Sequence, residues 1–281
     1  MSNRHWPARQ APGSVIGMTT ERAMARPLDP PLDADRGFGV LGILGGMGPM
    51  ATIDLAAKII ALTPALRDQD HLPMVIASMP QIPSRVAAIS HDGPSPLPAM
   101  LAVLARLRAA GAERVAIACN TAHVWRAQLA AASPLPIFDM IELAVGGLAP
   151  DDHRVAVIGT SGTRQAGLYG DALCRTGREP VELDPAQQRE LIDTAIDRVK
   201  AGHPEHAAPL FEAAARRLVA RGAQRIILAC TEVPIAFERL PAEWRALTLD
   251  ATATLARACV AWSLGAASPM RHNRAHGSEM A

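Results

Sequence analysis

The sequence predicts an α/β protein with two similar lobes, each built on a parallel sheet, that face each other across a cleft. Three observations predict this fold. Short apolar segments rich in β-branched residues alternate with helical segments along the whole chain. Two of these segments, 115–119 and 225–230, end in a cysteine, and each follows a Gly-Ala pair. Each half of the chain also opens with a strand that runs into a glycine-containing turn.

Composition excludes several classes of function. The net charge of +1 gives no reason to expect nucleic acid or an acidic membrane, and the 3% of aromatic residues argues against base stacking. No apolar stretch reaches the length of a membrane span. The four cysteines are scattered without CxxC spacing, so neither a disulfide scaffold nor a zinc knuckle is indicated. We therefore expect a reducing, cytoplasmic location.

The chain divides into four predicted parts. Residues 1–36 are rich in Pro, Arg and Asp without apolar periodicity, which predicts a disordered leader that is not a secretory signal. Residues 37–150 are expected to form the N-terminal lobe and residues 151–265 the second lobe, with the option that the C-terminal helix packs back on the first. Residues 266–281 are expected to form a flexible tail.

In the first lobe, each strand is predicted from a short apolar run and each helix from a longer run with helical periodicity. The predicted strands are 39–44, 74–78, 115–119 and 137–140. The predicted helices are 51–62, 86–89, 98–110 and 125–131. Residues 45–49 form a glycine turn that could approach a small carboxylate or serve only as a turn, since its spacing does not match the dinucleotide fingerprint.

In the second lobe the pattern restarts after a turn near residues 150–153. The predicted strands are 154–158, 181–183 and 225–230. The predicted helices are 165–174, 187–201, 210–221 and 251–261. Ligands of parallel sheets bind outside the carboxyl ends of the strands, so the cysteine tips of the two lobes are expected on opposite sides of one ligand.

Two opposed thiols have a specific chemical use. Inverting a stereocentre by proton transfer requires one group to remove the proton and a second group to deliver one to the opposite face. Cys119 and Cys230 satisfy this if one is a thiolate and the other a thiol, with Asn120, Thr121 and Thr231 as hydrogen-bond donors nearby. The alternative is that both cysteines are small core residues.

The positions of two cationic residues are equally consistent with a ligand-binding role and with a structural role. Arg85 follows a loop stiffened by two prolines and could bind a carboxylate, or it could be a solvated residue that begins a helix. Lys200 lies in the last turn of a predicted helix before Gly202, where it could bind a ligand or only complement the helix dipole.

Three motifs together carry a resemblance. They are Gly45-Gly46-Met47-Gly48-Pro49, Ala118-Cys119-Asn120-Thr121-Ala122-His123 and Ala229-Cys230-Thr231-Glu232-Val233. Over about residues 39–261 the chain resembles the aspartate/glutamate racemase superfamily, and most closely its aspartate racemase branch. The resemblance implies two Rossmann-like lobes related by a pseudo-two-fold axis, an active site in the cleft, a homodimer, and no pyridoxal phosphate or metal. It also implies that Cys119 and Cys230 are the proton-transfer pair that interconverts the L- and D-forms of aspartate, with glutamate as the alternative substrate.

The resemblance assigns further residues. Arg85 and Lys200 would hold the side-chain carboxylate of the substrate. The α-carboxylate and amine would be bound by Asn120, Thr121, Thr160, Thr163 and Thr231, with Met47 and Gly48 of the glycine turn beside them. His123 and Glu232 stand where glutamate racemases typically have serine and histidine, which favours the aspartate branch. His123 could tune the Cys119 thiolate or only cap packing.

One departure from the family bears on specificity. The family's loop commonly reads Ile-Pro-Asp-Arg, and this chain has Ser84 before Arg85. We therefore expect a less restrained Arg85 that could accept glutamate. Rival hypotheses are a broad-specificity amino-acid or hydantoin racemase, a maleate isomerase-like or malonate-decarboxylating enzyme, and a carboxylate-binding protein without catalysis. A metal site from Cys119, His123 and Cys230 lacks the usual clustered spacing of ligands.

Overall fold

The computed structural model describes residues 38–266 of the chain. The predicted leader, residues 1–36, and residues 267–281 of the predicted tail lie outside the described residues. The described part contains two parallel sheets with helices packed around them, as the sequence predicts. No helix within it combines the length and the apolarity that a membrane crossing requires.

The first lobe holds a three-stranded sheet in the order β2-β1-β3, and all of its strands are parallel. Its strands are β1 (Leu41–Gly45), β2 (Met74–Ser78) and β3 (Arg114–Ile117). Its helices are α1 (Pro49–Leu62), α2 (Arg85–Ile89), α3 (Leu97–Ala109), α4 (Arg126–Ala132) and α5 (Met140–Gly146).

The second lobe holds a four-stranded parallel sheet in the order β5-β4-β6-β7. Its strands are β4 (Arg154–Ile158), β5 (Glu179–Val181), β6 (Arg225–Leu228) and β7 (Thr248–Asp250). Its helices are α6 (Ser161–Gln165), α7 (Leu168–Arg175), α8 (Pro185–Gln187), α9 (Thr194–Lys200), α10 (Pro204–Ala220), α11 (Val233–Phe237), α12 (Ala242–Ala246) and α13 (Ala251–Ala266).

The two lobes repeat one topology. In each sheet the first strand is central, the second strand lies on one side of it and the third on the other. A bridge between Ile137 and Val115 extends the first sheet where β7 extends the second. The prediction of two similar α/β lobes is therefore confirmed, and the equivalence of β3 and β6 places both cysteine tips at matching positions.

Several predicted elements need correction. The strand predicted over 181–183 lies at Glu179–Val181, and the helix predicted over 210–221 spans Pro204–Ala220. Residues 137–140 were expected to form a strand, but only Ile137 bridges, and α5 begins at Met140 because the Asp139 carboxylate caps the Ile141 and Glu142 amides. The helix predicted over 165–174 is divided into α6 and α7 by Gly167, whose φ of 66° is left-handed. The helix predicted over 187–201 contains a π turn at 188–193 between α8 and α9.

The closing helix of each half packs against the other half. α5 contacts α7, and α13 contacts both α1 and α5. Strand residues of both sheets, among them Leu41, Ile43, Val155 and Ile227, belong to one buried apolar cluster. Burial of apolar area is the main favourable term in folding, so this shared core fixes the two lobes on either side of the cleft.

The glycine turn after β1 is stabilised from within the first lobe. Gly46 has a φ of 92°, and a Cβ there would lie 2.2 Å from the Met79 nitrogen. The Thr52 hydroxyl accepts a hydrogen bond from the Gly46 N–H and donates one to the Gly48 carbonyl. The turn therefore presents Met47 toward the cleft in a fixed conformation, and Thr52 is a buried brace of the turn.

Candidate active site between the two lobes

The two cysteine tips converge on one small cavity. Cys119 and Cys230 each lie two residues beyond the end of a strand, β3 and β6, and both are buried free thiols. The other lining residues follow the ends of β1, β3, β4 and β6 or lie at the start of α2 and the end of α9. They are Met47, Ser84, Arg85, Val86, Asn120, Thr121, Thr160, Lys200, Thr231 and Glu232.

The second-lobe tip surrounds its thiol with a carboxylate. Cys230 Sγ donates to Glu232 Oε2 over 3.0 Å, and the Thr231 hydroxyl donates to the same oxygen over 3.3 Å. Burial raises the pKa of the Cys230 thiol well above its usual range, and the charge of Glu232 raises it further, while Lys200 opposes this. Cys230 is therefore held as a protonated thiol.

The first-lobe tip is organised differently. His123 Nε2 accepts a hydrogen bond from the Met140 N–H over 3.2 Å, so its proton resides on Nδ1 and is donated to the Cys119 carbonyl oxygen over 2.9 Å. Burial lowers the pKa of His123, so the imidazole is neutral. Of the two roles considered for His123, the structure shows contacts with backbone: it joins the Cys119 peptide to the start of α5.

Arg85 is tightly restrained. Its Nη1 donates to the carbonyls of Ile82 (3.1 Å) and Pro83 (2.9 Å), and its Nη2 donates to the carbonyl of Met47 (3.1 Å). The expectation of a less restrained Arg85 is wrong, because three backbone carbonyls supply the acceptors that a carboxylate at position 84 would offer. Ser84 instead caps α2 by accepting from the Ala87 N–H.

Two buried donors in the cavity wall are left over. Within the part of the chain that the structure describes, Arg85 Nε and Asn120 Nδ2 have no hydrogen-bond partner. An unsatisfied buried donor costs about 1–3 kcal/mol, and a ligand that supplies an acceptor is one way to offset this cost. Both donors belong to residues that line the cavity, so an acceptor bound there could complete them.

Lys200 supplies positive charge to the same cavity. It is the last residue of α9, as predicted. Burial lowers its pKa, but the neighbouring Cys230, Glu232 and Cys119 outweigh burial, and the net direction is upward. The ammonium is therefore charged at neutral pH and faces both thiols and the one carboxylate that lines the cavity.

Three hydroxyls join the lobes behind the cavity. Thr121 lies 3.0 Å from Thr160 and 2.9 Å from Thr163, and the latter two lie 3.0 Å apart. Thr121 and Thr160 line the cavity, whereas Thr163 stands behind them. Gly48 also lies outside the lining, but a Cβ there would come within 3.1 Å of Glu232 Oε1.

One contact in the site has no counterpart in the sequence analysis. The Tyr169 hydroxyl, on α7, donates to Asn120 Oδ1 over 2.5 Å. The two residues are 49 positions apart in different lobes, so no spacing or motif could have joined them. Val86 also lines the cavity and was not singled out, and Ser84, noted only as a departure from the family's loop, lines it as well.

Among residues 38–266, one group of three side chains could hold a metal ion. It consists of His203, Glu205 and His206, all exposed, at the start of α10. Neither thiol belongs to it.

Known proteins resemble this chain over most of its length. Residues 44–259 match the family model described as Asp/Glu/Hydantoin racemase. The chain is 28% identical over 226 residues to the broad specificity amino-acid racemase RacX of Bacillus subtilis (strain 168), covering 79% of this chain and 96% of RacX. It superposes on the aspartate racemase of Picrophilus torridus with a TM-score of 0.72 at 27% identity, over 80% of this chain and 94% of that one.

More distant structures share the fold. The glutamate racemase isoform RacE1 of Bacillus anthracis gives a TM-score of 0.56 at 18% identity, over 78% of this chain and 79% of that one. At that identity the likeness concerns the fold alone, and it agrees with the two-lobe parallel architecture described above.

Proposed function

We propose a specific reaction for this chain, which belongs to the Asp/Glu/Hydantoin racemase family and is thus an isomerase. The reaction is the interconversion of L- and D-aspartate by two-base proton transfer at Cα, with Cys119 and Cys230 as the two bases. Neither pyridoxal phosphate nor a metal takes part in it.

The observation that carries the proposal is the composition of the cavity wall. One thiol from each lobe and two unpartnered buried donors, Arg85 Nε and Asn120 Nδ2, surround the same small space. A purely structural pair of core cysteines would not need unsatisfied donors beside it, since those donors cost stability.

The mechanism follows from the resting protonation of the pair. The bond to Glu232 favours the form in which Cys230 is the thiol and Cys119 the thiolate, and in this form the Cys119 thiolate accepts the proton from Cα of one enantiomer. The electron pair left at Cα is delocalised into the α-carboxylate, where Asn120 and the threonine hydroxyls stabilise the added charge. Cys230 then delivers its proton to the opposite face of Cα, which completes the inversion and leaves Cys119 protonated. The reverse reaction exchanges the two roles.

The preference for an acidic substrate rests on two cations. Arg85 is held by backbone carbonyls with Nε free, and Lys200 is charged beside it in the lining. Both would contact the side-chain carboxylate of aspartate. The glycine turn carries Met47 and Gly48 past this position, and the Met47 carbonyl is itself one of the acceptors that orient Arg85.

A second candidate is racemisation of several amino acids. It is favoured by the similarity to RacX, whose name describes a broad-specificity amino-acid racemase. Hydantoin racemisation and maleate isomerisation are further alternatives that the same assay distinguishes, and simple carboxylate binding is the alternative left if no compound reacts.

We also propose that the enzyme is a cytoplasmic homodimer. The four cysteines are free thiols, and the two-thiol mechanism requires a reducing compartment. The outer face of α1 exposes Met50, Ile53 and Ile60, with exposed fractions of 64%, 56% and 48%, which suits a second copy of the chain. Sedimentation should give twice the chain mass, and Ile53→Glu with Ile60→Glu should reduce it to one chain.

The test uses metal-free, pyridoxal-free protein with a thiol reductant. L-aspartate, L-glutamate, several neutral L-amino acids, a hydantoin and maleate are incubated with it, and the products are separated by chiral chromatography. D-aspartate formed faster than any other product supports the proposal. Comparable rates for neutral amino acids would favour the second candidate, and no reaction of any compound would refute both.

A further inference from the structure

Tyr169 is the only tyrosine in the chain, and it is buried at the boundary between the lobes. It lies on α7 of the second lobe, while its hydrogen-bond partner Asn120 follows Cys119 in the first lobe. The bond of 2.5 Å is therefore a direct link from the second lobe to the residue beside a proposed catalytic thiol.

The direction of this bond fixes the orientation of the Asn120 amide. Burial raises the pKa of the Tyr169 phenol well above its usual range, so the phenol keeps its proton and donates it. The amide oxygen Oδ1 is the acceptor, which leaves Nδ2 pointing away from the phenol. Nδ2 is buried and has no partner among residues 38–266, and Asn120 lines the catalytic cavity.

We propose that Tyr169 is a positioning residue that aims Asn120 Nδ2 at the α-carboxylate of the substrate. This inference rests on the proposed racemisation. Negative charge accumulates on the α-carboxylate when Cα loses its proton, and a donor that is already oriented stabilises that charge without reorganisation. Without the phenol, the amide is free to rotate and present Oδ1, which would repel the carboxylate.

The alternative role for Tyr169 is to join the two lobes, since its bond to Asn120 also crosses between them. The hydroxyls of Thr121, Thr160 and Thr163 make a similar link close by. A residue that only joins the lobes would affect folding stability and would act independently of Asn120. The experiment must therefore separate an effect through Asn120 from an effect on packing.

The experiment is a double-mutant cycle of Tyr169→Phe and Asn120→Ala, measured by kcat and KM for aspartate racemisation. Tyr169→Phe keeps the buried ring and removes one oxygen atom. We expect it to lower kcat by about tenfold to a hundredfold, somewhat less than removal of a direct oxyanion donor, with a smaller change in KM. In the Asn120→Ala background, Tyr169→Phe should cause no further loss.

Thr252→Val is the matched control, because Thr252 is a buried residue whose hydroxyl has no partner in the described part of the chain. It should leave kcat unchanged. A wild-type kcat in Tyr169→Phe, or an equal loss in both backgrounds, would overturn the role of Tyr169.

The same cycle measured by calorimetric binding of aspartate separates the two proposals. Binding without racemisation by wild-type protein refutes the proposed reaction alone, and additive effects in an active wild type refute the role of Tyr169 alone.

Discussion

The two cysteine tips share a backbone design and differ in what surrounds the sulfur. Cys119 and Cys230 follow equivalent strands, β3 and β6, at the same distance from the strand end. At the first tip the buried polar side chain, His123, bonds only backbone atoms, those of Cys119 and Met140. At the second tip the buried polar side chain, Glu232, bonds the Cys230 sulfur directly.

Because the surroundings differ, two cysteines at equivalent positions can differ in protonation. Racemisation needs opposed groups of the same chemical type, which the repeated lobes supply. It also needs one of them protonated and the other not at the start of each turnover. In the proposed reaction, a carboxylate beside Cys230 favours the proton there, whereas the ring nitrogens of His123 are both engaged by backbone groups.

The largest effect should come from removing either thiol. Cys119→Ala and Cys230→Ala should each reduce racemisation by about three orders of magnitude or more, because each enantiomer needs both faces served. Any remaining α-deuterium exchange in D2O should be confined to one enantiomer of aspartate, and to opposite enantiomers in the two variants. Full racemisation by either variant would mean that the two tips are not a pair.

Glu232→Gln tests the asymmetry directly. The carboxylate raises the pKa of Cys230, so its removal should lower that pKa and let the thiol lose its proton at a lower pH. The alkaline limb of the pH–kcat profile should therefore move to lower pH, and kcat should fall on the order of a hundredfold. An unmoved alkaline limb would show that Glu232 does not control the proton on Cys230.

Each tip also has a cation from its own lobe, Arg85 in the first and Lys200 in the second. Arg85→Ala and Lys200→Ala should each weaken the binding of aspartate by about 1.5–3 kcal/mol, or roughly tenfold to a hundredfold in KM. The KM for a neutral amino acid, if it is a substrate, should be unaffected. Wild-type KM values for aspartate in both variants would show that Arg85 and Lys200 do not bind the side-chain carboxylate of the substrate.

The smallest catalytic effect should come from His123→Gln. It breaks the link between the Cys119 carbonyl and the start of α5, so the free energy of unfolding should fall by about 1–3 kcal/mol. The shape of the pH–kcat profile should stay that of the wild type, in contrast to Glu232→Gln. A displaced pH profile in His123→Gln would show that the imidazole acts on the thiol after all.

The sequence was sufficient for the features that local patterns encode. The sequence predicts two lobes, each with a parallel sheet, from its apolar strands and glycine turns. The two matched segments that end in cysteine predict thiols at one cleft, and the described structure has this arrangement. Lys200 was correctly placed in the last turn of its helix for the same reason.

Long-range contacts could not be predicted. The restraint of Arg85 depends on the Met47 carbonyl, 38 residues away, and the orientation of Asn120 depends on Tyr169 in the other lobe. The break at Gly167 and the cap at Asp139 are local, but competing helix and strand propensities hid them. The Cys230–Glu232 bond lies within one motif, whereas the third acceptor of Arg85 and the partner of Asn120 come from tertiary packing that no single stretch of sequence contains.

If two thiols serve opposite faces of one Cα, the position of deuterium after turnover in D2O reveals it. Wild-type protein is incubated in D2O with L-aspartate and separately with D-aspartate, and early samples are analysed by proton NMR after chiral separation. We predict deuterium at Cα of the product enantiomer and protium at Cα of the recovered substrate. Deuterium in the recovered substrate at the same rate as in the product, or protium retained in the product, would contradict the two-thiol account.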